Sequence, residues 1–170
     1  TTTPVVFEPY TGHEVVPGGG ESALAPQILE SVQARYDRAL GRDSASIALF
    51  DKNLVWLKRF YDPGGLLVAG TDPTGAGRTV AGYANQRTVE ILVEAGFPLA
   101  EALKICTYNG AVYLKQQAEI GTVEVGKVAD LVLIDGDLRK DIRNIRKMET
   151  IFKDGVGFDS QKLFQSVKGV

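Results

Sequence analysis

Apolar residues recur at two different spacings along this chain, and the change from one to the other marks its elements. Within residues 27–40, Ile28, Val32, Tyr36 and Leu40 return every fourth position with charges between them, which predicts an amphipathic helix. Residues 44–61 repeat the pattern through Ile47, Phe50, Leu54 and Leu57, and Asp62-Pro63-Gly64-Gly65 ends it. A third helical run carries Val89, Leu92 and Val93, and a fourth carries Leu99, Ala102, Leu103 and Cys106. Gly96-Phe97-Pro98 separates these two, with Pro98 suited to a first turn. A short helix is predicted over 109–115.

Extended segments interrupt these helices. The opening Thr2-Thr3-Pro4-Val5-Val6-Phe7-Glu8 is β-rich, with Pro4 at its start or on an edge. Leu66-Leu67-Val68-Ala69 is a continuous apolar run of the kind found in strands buried on both faces. Beyond residue 118 the character changes. Ile120 to Lys127 reads as short extended pieces around turns, Leu131-Val132-Leu133-Ile134 as a strand, and 147–153 as another strand ending at an Asp154-Gly155 turn. The tail over 159–167 reads as a short helix. The first part suits α/β architecture with parallel strands, and the last part a separate β layer. The Gly- and Pro-rich stretch from Pro9 to Pro26 is a long loop, of the kind that forms lids or stays disordered.

Composition narrows the function classes. At 170 residues, 44% apolar and 24% charged, the chain has material for one real core and nothing low-complexity. A formal charge of -2 with mixed signs gives no reason to expect nucleic acid or an anionic membrane as partner. No apolar run approaches the roughly 18–20 residues of a membrane span. The chain opens on Thr1 and its single methionine is Met148, so it reads as an incomplete translation product; any targeting segment would lie upstream, and the compartment stays open.

Asp72 is the first candidate for chemistry. It follows the buried run Leu66–Ala69 at its carboxyl end, where parallel α/β folds gather ligands and catalytic groups. A carboxylate there can bind a divalent metal or move a proton for an activated water. It can equally cap the following turn, since Asp-Pro pairs favour turns. Gly75-Ala76-Gly77-Arg78 lacks the Lys-Ser/Thr end of a phosphate loop and reads better as a pocket rim. From there Arg78 could hold a substrate carboxylate bidentately or stand in solvent. His13 is the only histidine and sits in the long loop; one histidine cannot build a zinc site. Cys106, the only cysteine, falls on an apolar helix face and reads as a small core residue. The alternating acids and bases of 137–147 read as a solvated turn or helix face.

Taken together, the segments resemble the C-terminal portion of a metal-dependent amidohydrolase of the imidazolonepropionase-like and prolidase-like branch. The residues that carry the resemblance are Gly70-Thr71-Asp72, the helix through Val89 to Gly96, and Cys106-Thr107-Tyr108-Asn109-Gly110-Ala111. Ile120-Gly121-Thr122-Val123 with Gly126-Lys127-Val128-Ala129-Asp130-Leu131-Val132-Leu133-Ile134-Asp135 is the strongest part, and Phe152-Lys153-Asp154-Gly155 resembles the last strand and turn of that family's small β domain.

The resemblance implies the last part of a (β/α)8 barrel, about strands seven and eight with their helices, over 1–118. A segment of a small β-sandwich domain follows over 119–158, and a tail or short helix over 159–170. It implies hydrolysis of carbon–nitrogen bonds in small amide or dipeptide-like substrates by a metal-activated water, with one or two divalent metals, zinc above all. Asp72, ending strand eight, would bind metal and shuttle the proton. The family's histidines and its lysine or further acid belong to earlier strands, all upstream of this chain. The chain alone is therefore expected to be inactive, to hold no metal stably, and to need the remainder of the barrel or another copy of itself, since two strands cannot close a barrel. The alternatives are a free-standing, non-catalytic binding module and one chain of a larger complex.

Overall fold

A computed structural model describes residues 23–40, 44–72, 80 and 82–168 of the chain. The opening strand, His13, most of the long loop and the Gly75–Arg78 loop lie outside the described residues. Among the described residues five α-helices come first: α1 (Pro26–Leu40), α2 (Ser44–Tyr61), α3 (Tyr83–Glu94), α4 (Leu99–Cys106) and α5 (Tyr108–Tyr113). Then follow β1 (Leu131–Ile134), a 3-10 helix (Ile142–Arg146), β2 (Met148–Lys153), β3 (Val156–Asp159) and α6 (Ser160–Ser166).

The punctuation between helices acts as its residue types require. Gly96, at φ 85°, ends α3. Its N–H donates to the Val93 carbonyl at 2.9 Å and that of Phe97 to the Leu92 carbonyl at 3.0 Å, the paired closure of a Schellman motif. Pro98 stands at the N-cap of α4, one place before the first turn. Asp154 and Gly155 both take positive φ, 52° and 81°, as a two-residue type I′ hairpin turn demands.

That turn does not end the sheet. β3 follows it and pairs antiparallel with β2, which pairs antiparallel with β1, giving the order β1-β2-β3. β3 is four exposed residues, Val-Gly-Phe-Asp, with a glycine inside, so its own pattern is weak. The run 66–69 differs from expectation in the opposite sense. Leu67 is buried, yet the segment pairs with no strand among the described residues, and Leu66 is 45% exposed.

One core holds the helical part and the start of the β part together. Leu67, Val89, Leu92, Phe97, Ala102, Ile105 and Ile145 form it, with Ile134, Leu138 and Ile142 packed at its edge. Tyr61 meets Phe97 edge-on at 5.4 Å, fixing the end of α2 against the start of α4. The Tyr61 hydroxyl also donates to Glu101, and that bond raises the tyrosine pKa to about 12.

The seam carries a buried charge network. Glu90, only 1% exposed, accepts from Arg146 Nε and Nη2 at 2.6 Å each and from Arg87 Nη1 at 2.9 Å. Arg87 in turn binds Glu94 through two hydrogen bonds of 2.6 and 2.7 Å. The acid-and-base run therefore divides. Arg139 and Arg143 stand in solvent on Asp137 and Asp141, whereas Arg146 reaches back to α3. Removing one partner of a buried pair costs about 3–5 kcal/mol, while replacing both by apolar groups can be neutral. Arg146→Met should thus lower stability by about 3 kcal/mol, and Glu90→Leu with Arg146→Met should restore most of it, read from urea midpoints. A single-variant loss below about 0.5 kcal/mol, the scale of a surface pair, contradicts this.

Cys106 is partly buried against the core, and that burial pushes its thiol up to about 12. A raised thiol pKa contributes stability below the ordinary thiol range, lost as pH climbs toward 12. At pH 8 a disulfide reagent should label native protein at least about 100-fold more slowly than urea-unfolded protein. Equal rates would contradict the burial.

Candidate active site

The segment that leads to Asp72 is held from one side by the corner between α4 and α5. Thr107, at φ -130° and ψ -81°, breaks the helical path between them. Ile105 lies in the last turn of α4, where carbonyls lack partners within the helix. Its carbonyl accepts from the Ala69 N–H at 3.4 Å. Two residues past the break, Asn109 Nδ2 donates to the Leu67 carbonyl at 2.8 Å. Asn109 is 4% exposed and Leu67 5%, so this bond is shielded from water. Residues 67 and 69 are thus both tied to the same corner, and the chain runs on through Gly70 and Thr71 to Asp72.

Asp72 is exposed and has a backbone φ of 43°. A non-glycine residue in the left-handed region is uncommon, though aspartate tolerates it better than most. Such conformations cluster at functional sites, where surrounding structure holds them in place. Arg78 lies outside the described residues, and so does the contact expected of it. Among the described residues, no group of three or more His, Cys, Asp and Glu side chains comes together as a metal site.

The glycine- and lysine-bearing motif after α5 has a structural use. Gly121, at φ 96°, lies so close to α5 that an added Cβ would come within 2.8 Å of Ala111 Cβ and 3.0 Å of Tyr108 Cα. Lys127 folds back to donate to the Gln117 carbonyl at 2.9 Å and to the Thr122 hydroxyl. Asp130 accepts from the Asp154 N–H at 2.9 Å and from Lys153 at 2.8 Å, which holds its carboxyl below the usual range. It therefore ties the entry of β1 to the β2–β3 turn. The motif closes a fold and presents no reactive group of its own.

An open cleft of about 1250 Å³ lies elsewhere, between the start of α3, β2 and α6. Tyr83, Gln86, Arg146, Glu149, Ser160 and Phe164 are among its lining, and no residue of 66–72 is. The cleft and the segment that ends in Asp72 are therefore separate places on the molecule.

Sequence reading missed two of these residues. Asn109 lies in a short helix whose pattern says nothing of a partner 42 positions away. Glu90 reads as polar surface, and only the interruption of an apolar face by a charge signals otherwise.

Comparison with known proteins fits this geometry. The model of the amidohydrolase family matches residues 44–164. A 5-methylthioadenosine/S-adenosylhomocysteine deaminase from Thermoanaerobacter pseudethanolicus is 58% identical over 40 residues, 24% of this chain and 9% of its own. A solved bottromycin amidohydrolase superposes on 99% of this chain with a TM-score of 0.71 and 24% identity. A solved Xaa-Pro dipeptidase covers 82% of it at a TM-score of 0.57 and 23% identity. The chain spans 40% and 33% of those two structures, respectively, so it corresponds to a part of each. Helices α2 to α5, the segment that ends in Asp72 and the small sheet lie within one continuous match, and the chain belongs to the amidohydrolase family.

Proposed function

We propose that this chain is the C-terminal portion of a metal-dependent hydrolase of carbon–nitrogen bonds, with Asp72 as its catalytic carboxylate. The observation that carries the reading is Asp72 itself. It is an exposed aspartate at φ 43°, directly beyond a buried segment anchored to α4 and α5, in a chain of the amidohydrolase family. In this reading 66–69 is strand eight of a (β/α)8 barrel, the opening Thr3–Phe7 is strand seven, and β1 to β3 belong to a small β-sandwich domain. The divisions are 1–118, 119–158 and 159–170.

One carboxylate fits a metal centre as a single oxygen ligand, and the described residues supply no closed set around it. Asp72 would therefore hold one position of a site completed by histidines from the rest of the polypeptide. When bound, a divalent ion such as zinc supplies an electrophile and lowers the pKa of water. The Asp72 carboxylate takes the proton of the attacking water and delivers it to the leaving nitrogen. Arg78, on the loop after Asp72, would bind a substrate carboxylate.

The substrate is a small molecule with a nitrogen on a trigonal carbon. The deaminase relative favours 5-methylthioadenosine as a first probe, and the dipeptidase neighbour a dipeptide ending in proline. The chain alone is inactive in this reading and needs the remainder of the barrel or another copy. Exposed apolar groups support that need: Trp56 and Phe60 on α2 are 66% and 53% exposed, and Val132 and Phe158 on the sheet 51% and 41%.

In the full-length protein, Asp72→Asn should lower kcat by about 10³-fold or more, as loss of a group acting as general base does, with the thermal midpoint unchanged. Turnover within about 3-fold of the parent, on whichever probe it hydrolyses, would remove Asp72 from the mechanism. Arg78→Ala should raise KM for a carboxylate-bearing probe by about 10-fold or more and leave an uncharged probe unaffected. An equal change on both probes would count against that role.

A further inference from the structure

Asn109 is a nearly fully buried polar side chain for which the mechanism so far has no use. Its bond to Leu67 is not a local turn or cap, since it joins α5 to a segment 42 residues earlier. The amide can face Leu67 in only one way, because a carbonyl accepts and does not donate, so the nitrogen must be the atom presented. The Ala69–Ile105 bond repeats the attachment two residues further along, on the same side of the segment.

The corner is itself held rigidly. Thr107 Oγ1 donates to the Leu103 carbonyl at 2.8 Å, closing the end of α4. From the other side Gly121 sits against α5 with no room for a Cβ. Ala102 and Ile105 of α4 are 0% and 1% exposed in the same core as Leu67. The corner is thus fixed on several sides, and the 66–72 segment it holds carries at its far end a residue with a backbone φ of 43°.

We propose that Asn109 is the positioning residue for Asp72: by holding the Leu67 carbonyl it fixes how far the segment advances, and hence where the carboxylate stands. This rests on the reading of Asp72 as the catalytic and metal-binding carboxylate. Asn109 touches neither substrate nor metal in this account and acts through the backbone alone.

The test uses full-length protein and zinc. Asn109→Leu keeps the branched shape and removes the donor. Zinc affinity, measured by competition with a chelator, should fall by about 10-fold or more, as losses of groups that orient a ligand do. On the probe the enzyme hydrolyses, kcat should fall by about 10- to 100-fold, the scale of a displacement near 1 Å, with KM within about 2-fold. Combined with Asp72→Asn, the variant should cost little more than Asp72→Asn alone. A folded Asn109→Leu protein with parental zinc affinity and kcat overturns the proposal, as does a double variant whose losses multiply. If Asn109→Leu does not fold, Asn109→Ser, smaller and still polar, goes through the same cycle against the same outcomes. If Asp72→Asn itself retains activity and zinc, the reading of Asp72 fails; if that variant is dead and the Asn109 variants are not, only the positioning role fails.

Discussion

A carboxylate with 1% exposure cannot keep its charge without a counter-charge, and Glu90 takes its own from Arg146, 56 residues on. That requirement fixes how the C-terminal β segment meets the helices. Desolvating both groups offsets much of the attraction between them, so the pair is better evidence for register than for stability. A bidentate fork of two 2.6 Å bonds has one satisfactory geometry, and a slip of one residue in the 3-10 helix would lose it. Arg87 and Glu94 complete the set, so the network joins α3 to the β segment with its charges paired.

The apolar seam extends the same join. Ile145 enters the core that contains Leu67 and Ile105, so the segment behind Asp72, the α4–α5 corner and the start of the small sheet share one packed interior. The segment that ends in Asp72 is thus supported from a distance. Gly121 lies against α5, Asn109 of α5 holds Leu67, and Leu67 leads to Asp72. Outward, α2 shows Leu49, Trp56 and Phe60 to solvent, and the sheet shows Val132, Val156 and Phe158. Such surfaces agree with the proposal that more of the protein packs there.

The helices were legible because their signals are local. Four-residue spacing, Gly96 and the Asp62-Pro63-Gly64-Gly65 stop each act within a turn or two, and α2 spans the expected Ser44–Tyr61. The Asp154-Gly155 turn was legible because two consecutive positive φ angles restrict the residues that can occupy it. What escaped depends on distant partners. The run 66–69 has the composition of a strand, but a ladder needs a neighbour that the described residues do not provide. Glu90 is polar by type and buried by virtue of Arg146. β3 is too short and exposed to mark itself. Asp72 could be singled out by its place after an apolar run; Asn109 could not, since its importance lies in one bond across 42 residues. The stretch that carried the family resemblance most strongly, Ile120 to Val123 with Gly126 to Asp135, braces the fold and takes no part in the proposed chemistry.

We infer that Asp72 is a metal ligand at the end of a segment set in place by the α4–α5 corner. A crystal structure of the full-length protein with zinc, with anomalous data at the zinc edge, tests it most directly. The account predicts a metal peak about 2.0–2.2 Å from an Asp72 carboxylate oxygen, with Asn109 still bonded to the Leu67 carbonyl. A zinc centre assembled without Asp72, or Asp72 turned away into solvent beside an occupied site, would contradict it.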